Sequence, residues 1–191
     1  MVLLKLDFVF VGIIFIVEDI GMNIFRILKV ADIFTVGNLC CGLLAIFHAS
    51  NEGFAFAASF LFLALIMDTL DGKVAKLMHQ QNTFGKQLDS LADLISFGVA
   101  PVFLYYALCE PETGIILILI LFVVCGMLRL ARYNLSEEEG FEGVPITVNG
   151  IIFPSLYLLY IFQPASIALW PLVFATMSVL MVSTLKLKRI F

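Results

Sequence analysis

The sequence predicts an all-α integral membrane protein: six transmembrane helices, an N-terminal interfacial helix, and both termini in the cytoplasm. Composition, segmentation and the placement of positive charge each lead there. Residues of the AVILMFWYC set make up 62% of the 191-residue chain, against about 45–50% in soluble domains even with Gly counted. Only 14% of residues are Asp, Glu, Lys or Arg, and mean hydropathy is +1.07. A soluble domain of this size has no interior large enough to hide so much apolar surface. A soluble enzyme, a disordered chain and a nucleic-acid-binding domain are excluded, and a net charge of −4 argues further against a polyanionic partner. Repeated apolar runs near 20 residues favour helices over a barrel.

Residues 1–32 read as an N-terminal interfacial or amphipathic segment, and residues 33–191 as a six-helix domain. The apolar stretch at 3–17 is short for a span. It lacks a small-residue cleavage site, so it reads as a helix near the interface or as an extension ahead of a start at Met22. Arg26, Lys29 and Asp32 among apolar residues make 24–33 an amphipathic lead-in. The six spans follow at 33–49, 54–70, 88–108, 114–130, 144–162 and 167–185. Their connections are short, so neighbours pack antiparallel. Cys40, Cys41, Cys109 and Cys125 lie in apolar runs without a C-x-x-C spacing, and they read as small packing residues.

All eleven Lys and Arg fall in alternate connections. Lys5, Arg26 and Lys29 precede span 1, and Lys73, Lys76 and Lys86 join spans 2 and 3. Arg129 and Arg132 close span 4; Lys186, Lys188 and Arg189 follow span 6. The connections at 50–53, 109–113 and 163–166 hold none. The positive-inside rule therefore places both termini in the cytoplasm of a multi-pass cell-membrane protein.

Asp68 and Asp71 lie at the end of span 2, and Asp89 and Asp93 at the start of span 3. Ionisable residues in membrane helices are costly and mark function by default. Spacings of i, i+3 and i, i+4 put each pair on one helix face. Because the helices are consecutive and antiparallel, the pairs meet at one cytoplasmic end. Four clustered carboxylates repel unless protonated or bridged by cations, and oxygen-only ligands suit Mg²⁺, Mn²⁺ or Ca²⁺. A single Asp here would read as a helix cap or an interfacial residue. Gly72 and Ala75 share the first face; Gly85, Ala92 and Ser96 share the second. Such small residues let helices pack closely or leave room for a flat ligand. The headgroup depth of the carboxylates suits chemistry on a lipid phosphate better than a midplane ion site.

Without gaps, residues 68–93 read D-T-L-D-G-K-V-A-K, eight residues, G-K-Q-L-D-S-L-A-D. This resembles the CDP-alcohol phosphotransferase pattern D-x-x-D-G-x-x-A-R-x8-G-x-x-x-D-x-x-x-D, departing only at Lys76. There the family carries Arg, so the charge is kept and the bidentate fork is lost. D-I-F-T-V-G-N-L-C-C-G at 32–42 is similar to the family's first helix. R-L-A-R-Y-N at 129–134 and F-E-G-V-P at 141–145 resemble the serine-using branch, the phosphatidylserine synthases, with the archaetidylserine synthases as its archaeal form.

The resemblance implies transfer of a phosphatidyl-type group from a CDP-linked lipid, of CDP-diacylglycerol or CDP-archaeol type, to L-serine with release of CMP. It implies Asp68, Asp71, Asp89 and Asp93 as ligands of Mg²⁺ or Mn²⁺, with Ca²⁺ as a bound substitute, and Asp93 as the base. Thr35, Asn38, Asp68, Gly72, Ala75, Lys76 and Gly85 would meet the nucleotide. Arg129 and Arg132 would hold a lipid phosphate or the serine carboxylate; Tyr133, Asn134 and Asn149 are further lining candidates. A homodimer among membrane lipids, with its active site at the cytoplasmic face, is the implied assembly. Competing readings are a glycerol phosphate or inositol phosphate acceptor and, in another class, a divalent-cation transporter or channel.

Overall fold

The computed structural model describes residues 29–78, 82–135, 141–184 and 186–187. The interfacial segment expected over 1–32 lies outside them except at its end. There the first helix, α1 (Val30–Ser50), already begins three residues before the expected span. The side chain of Asp32 accepts the Lys29 backbone N–H at 2.7 Å. A carboxylate so placed satisfies an orphan donor and complements the positive end of the helix dipole. After a tight turn, with Glu52 at φ 59°, the chain returns as α2 (Phe54–Leu77). Gly42, Ala45 and Ala49 on α1 and Ala57, Ala58 and Ala64 on α2 are buried. In lipid, where burying apolar surface between helices gains little, such small faces bring backbones close.

The third apolar run is one 27-residue rod, Thr83–Cys109, with an internal change of winding. Helix α3 (Thr83–Asp93) opens where the Asn82 side chain accepts the Gly85 N–H. At Leu94–Val99 the chain widens into a π-helical segment, then resumes as α4 (Ala100–Cys109). Pro101 has no N–H to offer the carbonyl four residues back. That carbonyl, Phe97 O, accepts Asn149 Nδ2 at 3.2 Å instead. Asn149 is fully buried, so it supports this rod rather than lining a site. Glu110 in the left-handed region, followed by Pro111, ends α4.

Helix α5 (Thr113–Leu135) carries the chain back. The expected span at 144–162 is shorter than predicted, an apolar helix over Ile146–Phe162. It begins with a 3₁₀ turn (Ile146–Val148) after Pro145 and continues as α6 (Asn149–Phe162), with Pro154 inside. A second 3₁₀ turn (Pro164–Leu169) leads into α7 (Trp170–Val182). Five of the described helical stretches are thus long and apolar enough to cross a membrane. Among the described residues, the strand content is a two-residue antiparallel pairing, Phe141 with Leu187 and Glu142 with Lys186. Beside it Gly143, at φ +77°, lies against the Met181 carbonyl, where no side chain fits.

Away from the carboxylates, the core is a stack of aromatics. Phe153 lies 4.4 Å from Phe174, and Phe122 4.9 Å from Phe174. Tyr105 and Trp170 close the stack. Large apolar side chains such as Ile33, Phe47, Phe56, Leu117, Leu172 and Val179 face outward. This arrangement suits a lipid surround, and the chain is a multi-pass membrane protein. The four cysteines are free; Cys41 is buried and Cys125 half-buried, whereas Cys40 and Cys109, read as packing residues, are exposed.

Candidate active site

The second half of α2 and the second half of α3 bring the aspartates together. Asp68, Asp71 and Asp89 each offer an oxygen, and the three oxygens lie within 4.8 Å of one another. Asp93 adjoins the group through Asp68, with the two carboxyls side by side. Asp89 Oδ1 is buried and has no hydrogen-bond partner. A buried carboxylate oxygen without a donor beside two more carboxylates is the arrangement a hard divalent cation satisfies. Asp68, Asp71 and Asp89 fit such an ion, with Asp93 at its edge.

Helix α1 holds the cluster from one side. Thr35 Oγ1 donates to Asp71 Oδ2 at 2.9 Å. Asn38 Nδ2 donates to Asp93 Oδ1 at 3.0 Å, and Ser96 Oγ donates to the Asn38 carbonyl at 3.0 Å. Thr35 and Asn38 lie on the face of α1 that further along carries Gly42, Ala45 and Ala49, so one buried stripe changes from apolar to polar as it reaches the site. A Cβ on Gly42 would lie 2.8 Å from Ser96 Cα. Glycine therefore allows α1 to sit directly on the π-helical segment. Asp93 is the last residue before that segment, and local widening of a helix is a common way to aim a functional side chain.

A cleft of about 510 Å³ opens beside the carboxylates, with Asp32, Thr35, Asp71, Gly72, Ala75, Gly85, Lys86, Asp89 and Tyr133 among its walls. A Cβ on Gly72 would meet nothing within 4 Å, so protein packing does not demand glycine there. The open space leaves room for a ligand. At Gly85 a Cβ would crowd Asp32 Oδ1 and Asn82 Oδ1, each at 3.0 Å.

The expected nucleotide residues therefore divide. Thr35, Gly72, Ala75 and Gly85 line the cleft. Asn38 does not: it is fully buried and holds Asp93. Lys76 is exposed and lies outside the cleft wall. The two arginines also part company. Arg129 is buried, faces Asp89 and Asp93, and lies 5.5 Å from the Tyr133 ring centroid. Arg132 turns to the end of α7 and donates to the Val182 and Ser183 carbonyls at 3.2 and 3.1 Å.

Three residues enter the site to which the sequence had given no site role. Asp32 lines the cleft, and its place one turn before Thr35 was the available signal. Asn82 caps α3 at the cleft edge. Lys86, one turn before Asp89, reaches α5, where its Nζ donates to Tyr133 O at 2.8 Å. One turn further, Ser90 and Asn134 hydrogen-bond at 3.0–3.2 Å, so the ends of α3 and α5 are tied twice.

The chain is 38% identical over 130 residues, 68% of its length, to a CDP-diacylglycerol–serine O-phosphatidyltransferase of Methanocaldococcus jannaschii. It is 35% identical over 157 residues to the Bacillus subtilis protein of the same name, covering 80% of this chain and 85% of that one. An archaetidylserine synthase of Methanothermobacter thermautotrophicus is 36% identical over 164 residues, 83% of this chain and 69% of the relative. The match spans 61% of the M. jannaschii protein and 54% of a Helicobacter pylori relative. The sequence model of CDP-alcohol phosphatidyltransferases matches residues 28–183, from the start of α1 to the end of α7 with all four aspartates inside. The chain belongs to the CDP-alcohol phosphatidyltransferase family.

Proposed function

We propose that this protein transfers the phosphatidyl-type group of a CDP-linked lipid to the hydroxyl of L-serine, giving a phosphatidylserine-type lipid and CMP. The observation that carries the reading is the carboxylate cluster, with oxygens of Asp68, Asp71 and Asp89 within 4.8 Å, opening on a cleft whose wall is bare at Gly72. The names of the relatives above supply the acceptor.

The bond changes are those of a direct displacement. Asp93 accepts the proton of the serine hydroxyl as that oxygen attacks the lipid-side phosphorus. A phosphorus–oxygen bond forms to serine, the bond from that phosphorus to the CMP oxygen breaks, and CMP leaves with the electron pair. Mg²⁺ or Mn²⁺ held by Asp68, Asp71 and Asp89 would neutralise charge on the pyrophosphate and on the departing CMP. Asn38 holds Asp93 in place. Thr35 holds Asp71, and Gly72, Ala75 and Gly85 leave space for the cytidine. Arg129 supplies positive charge to the donor phosphates, and Arg132 anchors the end of α5 that carries Arg129.

The same proposal includes six crossings, with Ile146–Phe162 as the short one. It places both termini and the site at the cytoplasmic face of the cell membrane, as the alternation of positive charge supports. The homodimeric state comes from the family resemblance.

A glycerol phosphate or inositol phosphate acceptor would bring a further phosphate, and among the described residues Lys86 is the only cation on the cleft wall. Ion transport would need polar groups continuing across the bilayer, whereas the interior beyond Ser96 is closed by Phe97, Leu104, Phe122 and Phe153. Purified protein in detergent, given CDP-lipid and a panel of serine, glycerol 3-phosphate and inositol phosphate, should release CMP fastest with serine. Faster release with either phosphate would move the protein to another branch of the family.

A further inference from the structure

Helices α1, α2, α3 and α5 surround the carboxylates, and hydrogen bonds close three of the seams between them. Thr35 donates to Asp71 across α1 and α2, and Asn38 donates to Asp93 across α1 and α3. Across α3 and α5, Lys86 donates to Tyr133 O and Ser90 pairs with Asn134. The fourth seam lies between α2 and α5, where Asp68 faces Arg129. Among the described residues, the start of α6 fills it below the level of the carboxylates.

Three close approaches fix that level. A Cβ on Gly150 would lie 3.1 Å from Leu65 Cβ on α2 and 2.7 Å from Phe97 Cε1 in the π-helical segment. A Cβ on Gly126 of α5 would lie 2.8 Å from Ile146 Cδ1. Leu65 comes i−3 to Asp68, Phe97 i+4 to Asp93, and Gly126 i−3 to Arg129. In each helix the contact is therefore displaced from the site residue toward the bilayer interior, by about 4.5–6 Å at 1.5 Å per residue. The start of α6 is a floor beneath the carboxylates and not a wall beside them. Its shortness, set by the 3₁₀ turn after Pro145, leaves the seam above it uncovered.

Burial along α2 records where the cover ends. Leu61, Leu65 and Thr69 follow at i, i+4 on one face, and they pass from fully buried to half-buried to exposed. From Thr69 the exposed side chains of Ile66 and Phe62, at i−3 and i−7, carry an apolar track down to the depth of the hydrocarbon. The cytidine cleft opens elsewhere, among Asp32, Thr35, Ala75 and Gly85 of α1, α2 and α3. A donor whose nucleotide fills that cleft has to send its chains out of water by another route. We propose that the seam between α2 and α5, above the start of α6, is a lateral port through which the hydrocarbon chains of the CDP-linked lipid reach the bilayer along Thr69, Ile66 and Phe62. This rests on the CDP-linked donor of the proposed function and not on serine as its acceptor.

The test has two arms, both on the full chain in detergent. Thr69→Trp places an indole in the port. The Michaelis constants for CDP-dioleoylglycerol and L-serine are measured, with the inhibition constant of CDP, which has no chains. The lipid constant should rise at least tenfold while the serine and CDP constants stay near wild type, the pattern of lost binding remote from the chemistry. Leu172→Trp, the same side chain on an exposed position of α7, should leave all three near wild type. The second arm needs no variant: wild type is irradiated with a CDP-lipid carrying a diazirine at mid-chain, with and without excess CDP. Crosslinks that CDP abolishes should fall on residues 62–69 of α2 and on the start of α6.

An unaltered lipid constant in Thr69→Trp would overturn the inference. So would a rise matched by the CDP constant, which would mark damage to the nucleotide cleft, or an equal rise in Leu172→Trp. CDP-sensitive crosslinks confined to other elements, or none at all, would overturn it as well, whether or not Thr69→Trp folds. Wild type releasing no CMP from CDP-lipid with any acceptor would refute the proposed function itself. Normal wild-type turnover with the crosslinks elsewhere would refute this inference alone.

Discussion

Asn38→Ala separates two roles for one residue, holding the base or touching the nucleotide. Asn38 has no exposed surface. Its Nδ2 lies 3.0 Å from Asp93 Oδ1, and its backbone carbonyl accepts Ser96 Oγ at 3.0 Å. Alanine deletes the first bond and keeps the second, so the contact between α1 and the π-helical segment survives. A hydrogen bond to an ionised group contributes about 1.5–3 kcal/mol. The side-chain carbonyl of Asn38 has no partner, so removing it with the amide offsets part of the loss to folding. The loss to catalysis is not offset, because the freed Asp93 carboxyl no longer has a fixed direction. The expected result is a kcat lower by roughly ten- to a hundredfold, with the Michaelis constant for CDP-lipid essentially unchanged. Steady-state CMP release at saturating serine, with CDP-lipid varied, reads both constants. A normal kcat with a raised constant for CDP-lipid would refute the reasoning and return Asn38 to the nucleotide.

Two further substitutions probe the same assembly. Asp93→Asn keeps shape and removes the base, so turnover should disappear while CDP-lipid still binds in a filtration or calorimetric assay; near-normal turnover would place the base elsewhere. Gly42→Ala sets a Cβ 2.8 Å from Ser96 Cα, backbone that cannot rotate aside. Overpacking of about 1–3 kcal/mol should lower the thermal midpoint in detergent and kcat together, and an unchanged midpoint would contradict the close approach.

The carboxylate cluster was legible in the sequence because helical periodicity converts i, i+3 and i, i+4 spacing directly into shared faces. Short connections did the rest by making α2 and α3 antiparallel neighbours. What stayed hidden depends on which helix crosses which. Asn38 and Asp93 are 55 residues apart, and only the packing of α1 on α3 makes them partners. Arg129 and Arg132 share a face by spacing, yet long side chains follow local acceptors. The terminal carbonyls of α7, which take Arg132, lie 50 residues further along the chain. The change of winding at Leu94–Val99 leaves no mark in an apolar run, and only Pro101 hints at a disturbed ladder. The fifth apolar run misled in length because hydropathy ignores the 3₁₀ turn after Pro145. Lys86 was counted as a topological charge, because its approach to Tyr133 arises only once α3 and α5 meet.

The most direct test of the central claim follows both products of one reaction. Purified protein is given CDP-lipid and labelled L-serine, in Mg²⁺ or in excess EDTA, and CMP and serine-bearing lipid are counted together. Metal-assisted direct transfer at the four aspartates predicts one CMP for each labelled lipid in Mg²⁺, and neither product in EDTA. CMP formed without labelled lipid, or equal turnover in a thoroughly metal-stripped preparation, would contradict it.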